Sequence, residues 1–183
     1  MKPTMRTSEV KTATDSEREI VIDALKLAFG SDPAIRWVWP DPQKYLLHFS
    51  EFAKAFGGRA FVNNTAFYVG NYSGAALWLP PNIEPDIDTM LGLLHSTTSE
   101  DVQNILPSVF EKMGSFHPNE PHWYLPLLGV DPLYHGKDLV LYSWNIRLIS
   151  LITIVHWHIW NHQTKETFLF INAMDLNYWG PLK

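Results

Sequence analysis

From Thr14 to Val130 the apolar residues fall into two kinds of pattern: steps of three and four, as on one face of a helix, and short runs where nearly every position is apolar, as in a buried strand. Residues 1–13 show neither and read as a flexible lead-in. Thr14 or Asp15 is placed to cap a helix that has Glu17 and Glu19 in its favourable first turn and Ile20, Leu25, Ala28 and Phe29 as its apolar stripe. Gly30 ends that helix, and residues 31–42 read as a turn region holding Trp37 and Trp39. A second helix is expected over residues 43–56, where Tyr45, Phe49, Phe52, Ala53 and Phe56 recur at helical steps before Gly57 and Gly58. Core packing is the plain reading of these aromatics; a pocket wall is the alternative.

Residues 65–70 and 74–79 have the composition of two antiparallel strands joined at 71–73, and Pro80 and Pro81 stop the second from continuing in a sheet. Helical patterns return over 83–94 and 99–113. The latter opens at Ser99 with Glu100 and Asp101 behind it, and Pro107 is expected to kink or divide it. The chain then enters HWYLPLLGVDPLYHGK, residues 122–137, around which the rest is organised. Residues 123–130 read as a buried strand that runs through Asp131 and Pro132 into a turn ending on Gly136. Such a strand-to-glycine turn presents bare backbone N–H groups to phosphate when a helix follows. Two helices, a strand pair, two helices and one strand make an α+β order, not a doubly wound repeat.

Composition narrows the chemistry. With 183 residues and 46% hydrophobic content the chain is expected to be one domain with a sizeable core. The absence of cysteine excludes disulfides, thiolate nucleophiles and cysteine-ligated zinc, and a net charge of -5 argues against a nucleic-acid partner. The N-terminus is too polar for a signal peptide. No apolar run reaches the roughly 18 residues of a membrane span, since residues 148–160 are interrupted by His156 and His158. A cytoplasmic protein with no membrane partner is the expectation.

GAALWLPPN at residues 74–82, the helical insert after it, and HWYLPLLGVDPLYHGK together resemble the GCN5-related N-acetyltransferases over roughly residues 12–137. The resemblance implies a mostly antiparallel sheet flanked by helices, acetyl-CoA as co-substrate, and a small-molecule or peptide primary amine as acceptor. In that family a bulged central strand holds the pantetheine arm along its main chain, and the following loop holds the pyrophosphate. Leu128, Gly129 and Val130 match the strand, and His135, Gly136, Lys137 and Leu139 fall on the loop. The chain departs from the pattern there: His135 stands at the Arg or Gln position, and Asp138 and Val140 stand at the two Gly or Ala positions. A carboxylate repels pyrophosphate, and either Cβ obstructs close approach of the backbone. The family's later Tyr and Gly-Phe signature is also missing, so the fold is expected to have an atypical, incomplete C-terminal part.

Residues 138–183 differ in texture, holding Trp144, Trp157, Trp160 and Trp179 of the eight tryptophans but only Pro181 of the thirteen prolines. They read as an out-of-frame translation. Trp160 to Gln163 must be encoded TGG AAY CAY CAR; re-read from the preceding third base, this forces Glu and then Ser or Pro twice before Asn or Asp. Met174 to Gly180, re-read the same way, forces Gly, permits Phe and Glu, and forces Leu, Leu and Gly. The forced residues fall on the missing half of the family pattern. An acetyltransferase by descent, impaired as written, is therefore expected; a non-catalytic remnant or protein-interaction module is the alternative.

Acetylation needs a deprotonated amine and donors for the developing oxyanion. The Val130 N–H is a candidate donor. Glu84, Asp86, His95, His117 and His122 are conceivable bases, and no spacing singles one out; ordinary surface or capping duty is the plain reading of each. His135 is suited to bond a phosphate or to lie in solvent, and Lys137 to add a point charge nearby. His156 and His158 alternate and, with His162, have a zinc-like spacing if a third ligand converges. As products of a shifted frame they are accidents, so no metal is expected.

Overall fold

The computed structural model describes residues 10–115 and 117–134. Four strands form one open antiparallel sheet in the order β1 (Val10–Thr12), β2 (Ala66–Val69), β3 (Gly74–Leu79), β4 (Tyr124–Val130), with helices against it. The expected α+β class holds. The lead-in needs correcting: Val10 pairs with Val69 and Thr12 with Phe67, and the Ala13 N–H donates to the Ala66 carbonyl at 2.8 Å. A three-residue strand has no periodicity to betray it; the exposed edge of β2 recruits it.

A 3-10 turn over Asp15–Glu17 precedes α1 (Arg18–Ala28). The buried stripe of α1 is Val21, Ile22, Ala24 and Leu25, while Ile20 is 48% exposed. The stripe thus lies one residue beyond the expected start at Ile20, because helical rotation begins after the 3-10 turn. Residues 31–42 are not all turn. Asp32 accepts from the Ala34 and Ile35 N–H groups at 3.0 Å and starts α2 (Pro33–Val38), with proline at the first helical position where no N–H is needed. Asp41 and Pro42 repeat the device for α3 (Pro42–Gly57).

The spacing on α3 packs as expected. Tyr45, Phe49, Phe52 and Ala53 are buried and Phe56 is half-buried, with ring centroids 5.2, 6.2 and 5.4 Å apart along the aromatic series. A one-turn helix, α4 (Arg59–Val62), leads into β2. The β2–β3 hairpin stands where expected. Its turn is tied down by Tyr72, whose hydroxyl donates to Glu17 at 2.7 Å while its ring stacks on Tyr68 at 4.4 Å.

Of the two later helices, α5 (Ile87–Thr97) starts later than residue 83, because Asp86 caps it by accepting from the Thr89 N–H. The helix α6 (Glu100–Gly114) passes Pro107 unbroken. Trp39 is buried, its ring edge-on to Phe52 of α3 at 5.9 Å and its indole N–H donating to Thr97 of α5 at 3.1 Å.

Helices α1 and α3 cover one face of the sheet, over Ala75, Leu77, Leu79 and Leu127. The other face carries Val10, Val69, Ala76 and Trp78, with Leu125, Leu128 and Val130 beside them. The register of β4 slips between these clusters. Leu77 stands opposite Leu127 but Leu79 opposite Tyr124, so β4 spends one extra residue opposite Trp78. That bulge holds Pro126, which has no N–H to leave unpaired. Its consequence is directional: Tyr124 turns to the helix face, where its ring meets Phe56 at 6.0 Å.

Candidate functional site

The sequence-derived site divides at the end of β4. Leu128 stands opposite Ala76, Gly129 opposite Ala75 and Val130 opposite Gly74. A Cβ on Gly129 would lie 2.6 Å from the Ala28 Cβ and 3.2 Å from the Phe29 ring, so this glycine is required by the close approach of α1. Beyond Val130 the Asp131 N–H donates to the Ser73 carbonyl at 2.9 Å, and a 3-10 turn over Pro132–Tyr134 follows. The Asp131 carboxylate accepts from the Leu133 N–H at 2.9 Å. His135, Gly136, Lys137 and Leu139 lie outside the described residues, as do His156, His158 and His162.

The candidate bases separate by their surroundings. Asp86 is occupied as the cap of α5, and exposed Glu84 is held through its carbonyl, which accepts from Arg59 at 2.9 Å. His95 borders a shallow groove of about 330 Å³ between α5 and α6, with Leu91, Gln103, Leu106 and Pro107. His117 and His122 come together at the other end of β4. His117 Nδ1 lies 3.2 Å from His122 Nε2, and His122 Nδ1 lies 2.9 Å from the Glu120 carbonyl oxygen. The His117 ring stands edge-on to Tyr124 at 4.6 Å.

This chain of contacts assigns the protons. A carbonyl only accepts, so His122 Nδ1 carries hydrogen; in the neutral tautomer that this contact selects, His122 Nε2 accepts from His117 Nδ1–H. His117 Nε2 is left with a lone pair of its own. Burial, and secondly the positive charge His122 would carry, hold His117 below the ordinary histidine pKa and favour the neutral ring. Burial also raises the Tyr124 phenol well above its usual range, so it stays protonated.

Nothing in the spacing of His117 and His122 marks them as partners. The signal available was the pair of prolines between them, Pro118 and Pro121, which bend the segment back on itself. At the far end of the sheet Glu17 is the counterpart: it accepts from the Thr14 N–H at 2.8 Å, the Thr14 hydroxyl at 2.7 Å, and both Tyr72 and Tyr68. These bonds, the Thr14 N–H first among them, lower its pKa to about 2.

No family model and no curated protein matches the chain. Among solved structures it is similar to a Corynebacterium glutamicum protein described as histone acetyltransferase HPA2 and related acetyltransferase, with a TM-score of 0.52 and 20% identity over 80% of this chain and 72% of that one. The fold is therefore shared with an acetyltransferase at low identity and over part of each chain. Among the described residues no helix is long and apolar enough to cross a membrane.

Proposed function

We propose that the chain is a GCN5-related N-acetyltransferase by descent, built to move an acetyl group from acetyl-CoA to the primary amine of a small molecule or peptide. The observation that carries this is β4: a bulged strand whose regular ladder from Leu127 to Val130 runs out into a turn. Acetyl-CoA supplies the acyl thioester. In this reading the main chain of Leu128, Gly129 and Val130 lies along the pantetheine arm, and His135, Gly136, Lys137 and Leu139 lie at the pyrophosphate. The Val130 N–H is the candidate donor to the developing oxyanion; His117 stands beside Tyr124 at the opposite end of the seven-residue strand, out of reach of that centre, and the amine proton leaves to solvent. The new bond joins nitrogen to the acyl carbon, and the carbon–sulfur bond breaks to release the thiolate.

Residues 138–183, read as a shifted frame, leave this machinery impaired. Asp138 and Val140 stand where the loop needs residues that let a phosphate approach. The test is calorimetric titration of acetyl-CoA into this chain and into one whose tail is restored to the other frame. Binding by the restored chain alone supports the assignment. Equal binding by both overturns the account of the loop, and binding by neither favours a non-catalytic remnant.

A further inference from the structure

The loop His117-Pro118-Asn119-Glu120-Pro121-His122 brings two imidazole nitrogens to one point by its own geometry. His117 Nδ1 and His122 Nε2 are 3.2 Å apart. Two nitrogens bound to one tetrahedral zinc at 2.0–2.1 Å stand about 3.3 Å apart, so the pair already has the bite of two ligands. We propose that this loop binds a divalent transition-metal ion of the zinc class, with His117 Nδ1 and His122 Nε2 as donors, the Glu120 carboxylate as the third, and water completing the tetrahedron.

Three features of the surroundings support the site. The His122 Nδ1–H donates to the Glu120 carbonyl at 2.9 Å, the outer contact that fixes the ring and tautomer of metal-bound histidines. His117 is held from two sides, its backbone N–H donating to the Gly114 carbonyl at 3.0 Å and its ring standing edge-on to Tyr124, which in turn meets Phe56. Pro118 and Pro121 fix two backbone torsions of the six-residue loop and so reduce the ordering needed on binding.

The third donor has to move. Among the described residues no three His, Cys, Asp or Glu side chains already stand in ligand positions. The Glu120 side chain is exposed and enters none of the loop's hydrogen bonds, while its carbonyl is already against His122. Rotation about its own side-chain torsions is what the site requires. On binding, the His117 hydrogen is exchanged from Nδ1 to Nε2 through solvent, so both rings stay neutral with no net proton release, and the metal sits off the line between the two nitrogens, taking the lone pairs of His117 Nδ1 and His122 Nε2.

The experiment is a calorimetric titration of zinc chloride into the full chain carrying His156→Gln, His158→Gln and His162→Gln, which removes tail histidines as competing donors. Long-range nitrogen–proton spectra of the imidazoles are recorded on the same sample. One saturable site, with the His117 and His122 ring nitrogens shifting together, is the expected result. His122→Gln should then weaken binding by roughly tenfold or more, and Glu120→Gln by roughly three- to tenfold, as for removal of an inner ligand against a mobile one. Absence of saturable binding, or binding that leaves the His117 and His122 nitrogens unshifted, overturns the proposal. The spectra are read on a chain whose loop is intact, so misfolding of a loop variant cannot imitate either result.

Discussion

At its Tyr124 end β4 faces aromatic rings and two hydrogen-bonded imidazoles; at its Gly129 end it faces helix α1 with no room for a methyl group. The same strand is thus spaced away from the helices at one end and pressed onto them at the other. The difference comes from one inserted residue. The bulge around Pro126 turns Tyr124 toward Phe56 and opens space that rings fill, whereas the regular ladder from Leu127 to Val130 keeps Gly129 against Ala28. Polar chemistry collects where the packing is loosened, and glycine is demanded where it is tight.

The contrast can be broken most strongly at Gly129. Gly129→Val drives a side chain into Ala28, which is helix-borne and has no flexible end to move, and should cost about 3 kcal/mol in urea unfolding. An unchanged midpoint would mean that α1 does not sit on β4 as described. At the opposite end Tyr124→Ala removes ring contacts to both Phe56 and His117 and should cost about 2 kcal/mol by the same measurement. His122→Ala, in metal-free buffer, removes a hydrogen bond to a solvent-accessible carbonyl and one from His117, for about 1 kcal/mol. Gly92→Ala is the control with opposite sign: nothing lies within 4 Å of its added Cβ, so the exposed helix α5 should gain roughly 0.5–1 kcal/mol.

Acid sharpens the comparison without a mutation in β4. The tight end rests on the hairpin turn through the Asp131 N–H to Ser73, and that turn is tethered to Glu17 by Tyr72. Glu17 has a folded pKa of about 2 against an ordinary 4.5. Its stabilising contribution is therefore complete above 4.5, declines as the pH falls toward 2, and is lost below that. Stability measured across this window should fall less in Glu17→Gln than in the parent. Parallel curves would remove Glu17 as the anchor.

Much of the scaffold was legible because it depends on short-range pattern. The aromatic steps on α3, the 65–79 hairpin and the apolar strand before Asp131 all commit a face locally, and each appears where the pattern put it. The elements that were missed lack such a pattern. β1 is three residues recruited by an edge, and α2 is six residues set by an Asp-Pro start, too short for a helical repeat of apolar positions to show. Pro107 was expected to kink or divide α6, and division is excluded, since the helix runs through it from Glu100 to Gly114.

The site was less legible than the scaffold. His117 and His122 were among five equal candidates, and only the fold of the proline loop joined them. Gly129 was recognised as important, but for backbone approach to a cofactor; the need that the fold displays is the closeness of α1. What the sequence by itself determined was which residues must be buried and in which local conformation, because side-chain hydrophobicity and backbone torsions act over a few residues. Which face of α1 met the sheet and where β4 gained its extra residue were decided by tertiary structure. Those outcomes turn on contacts between segments far apart in the chain, where a shift of one residue reverses the direction of a side chain.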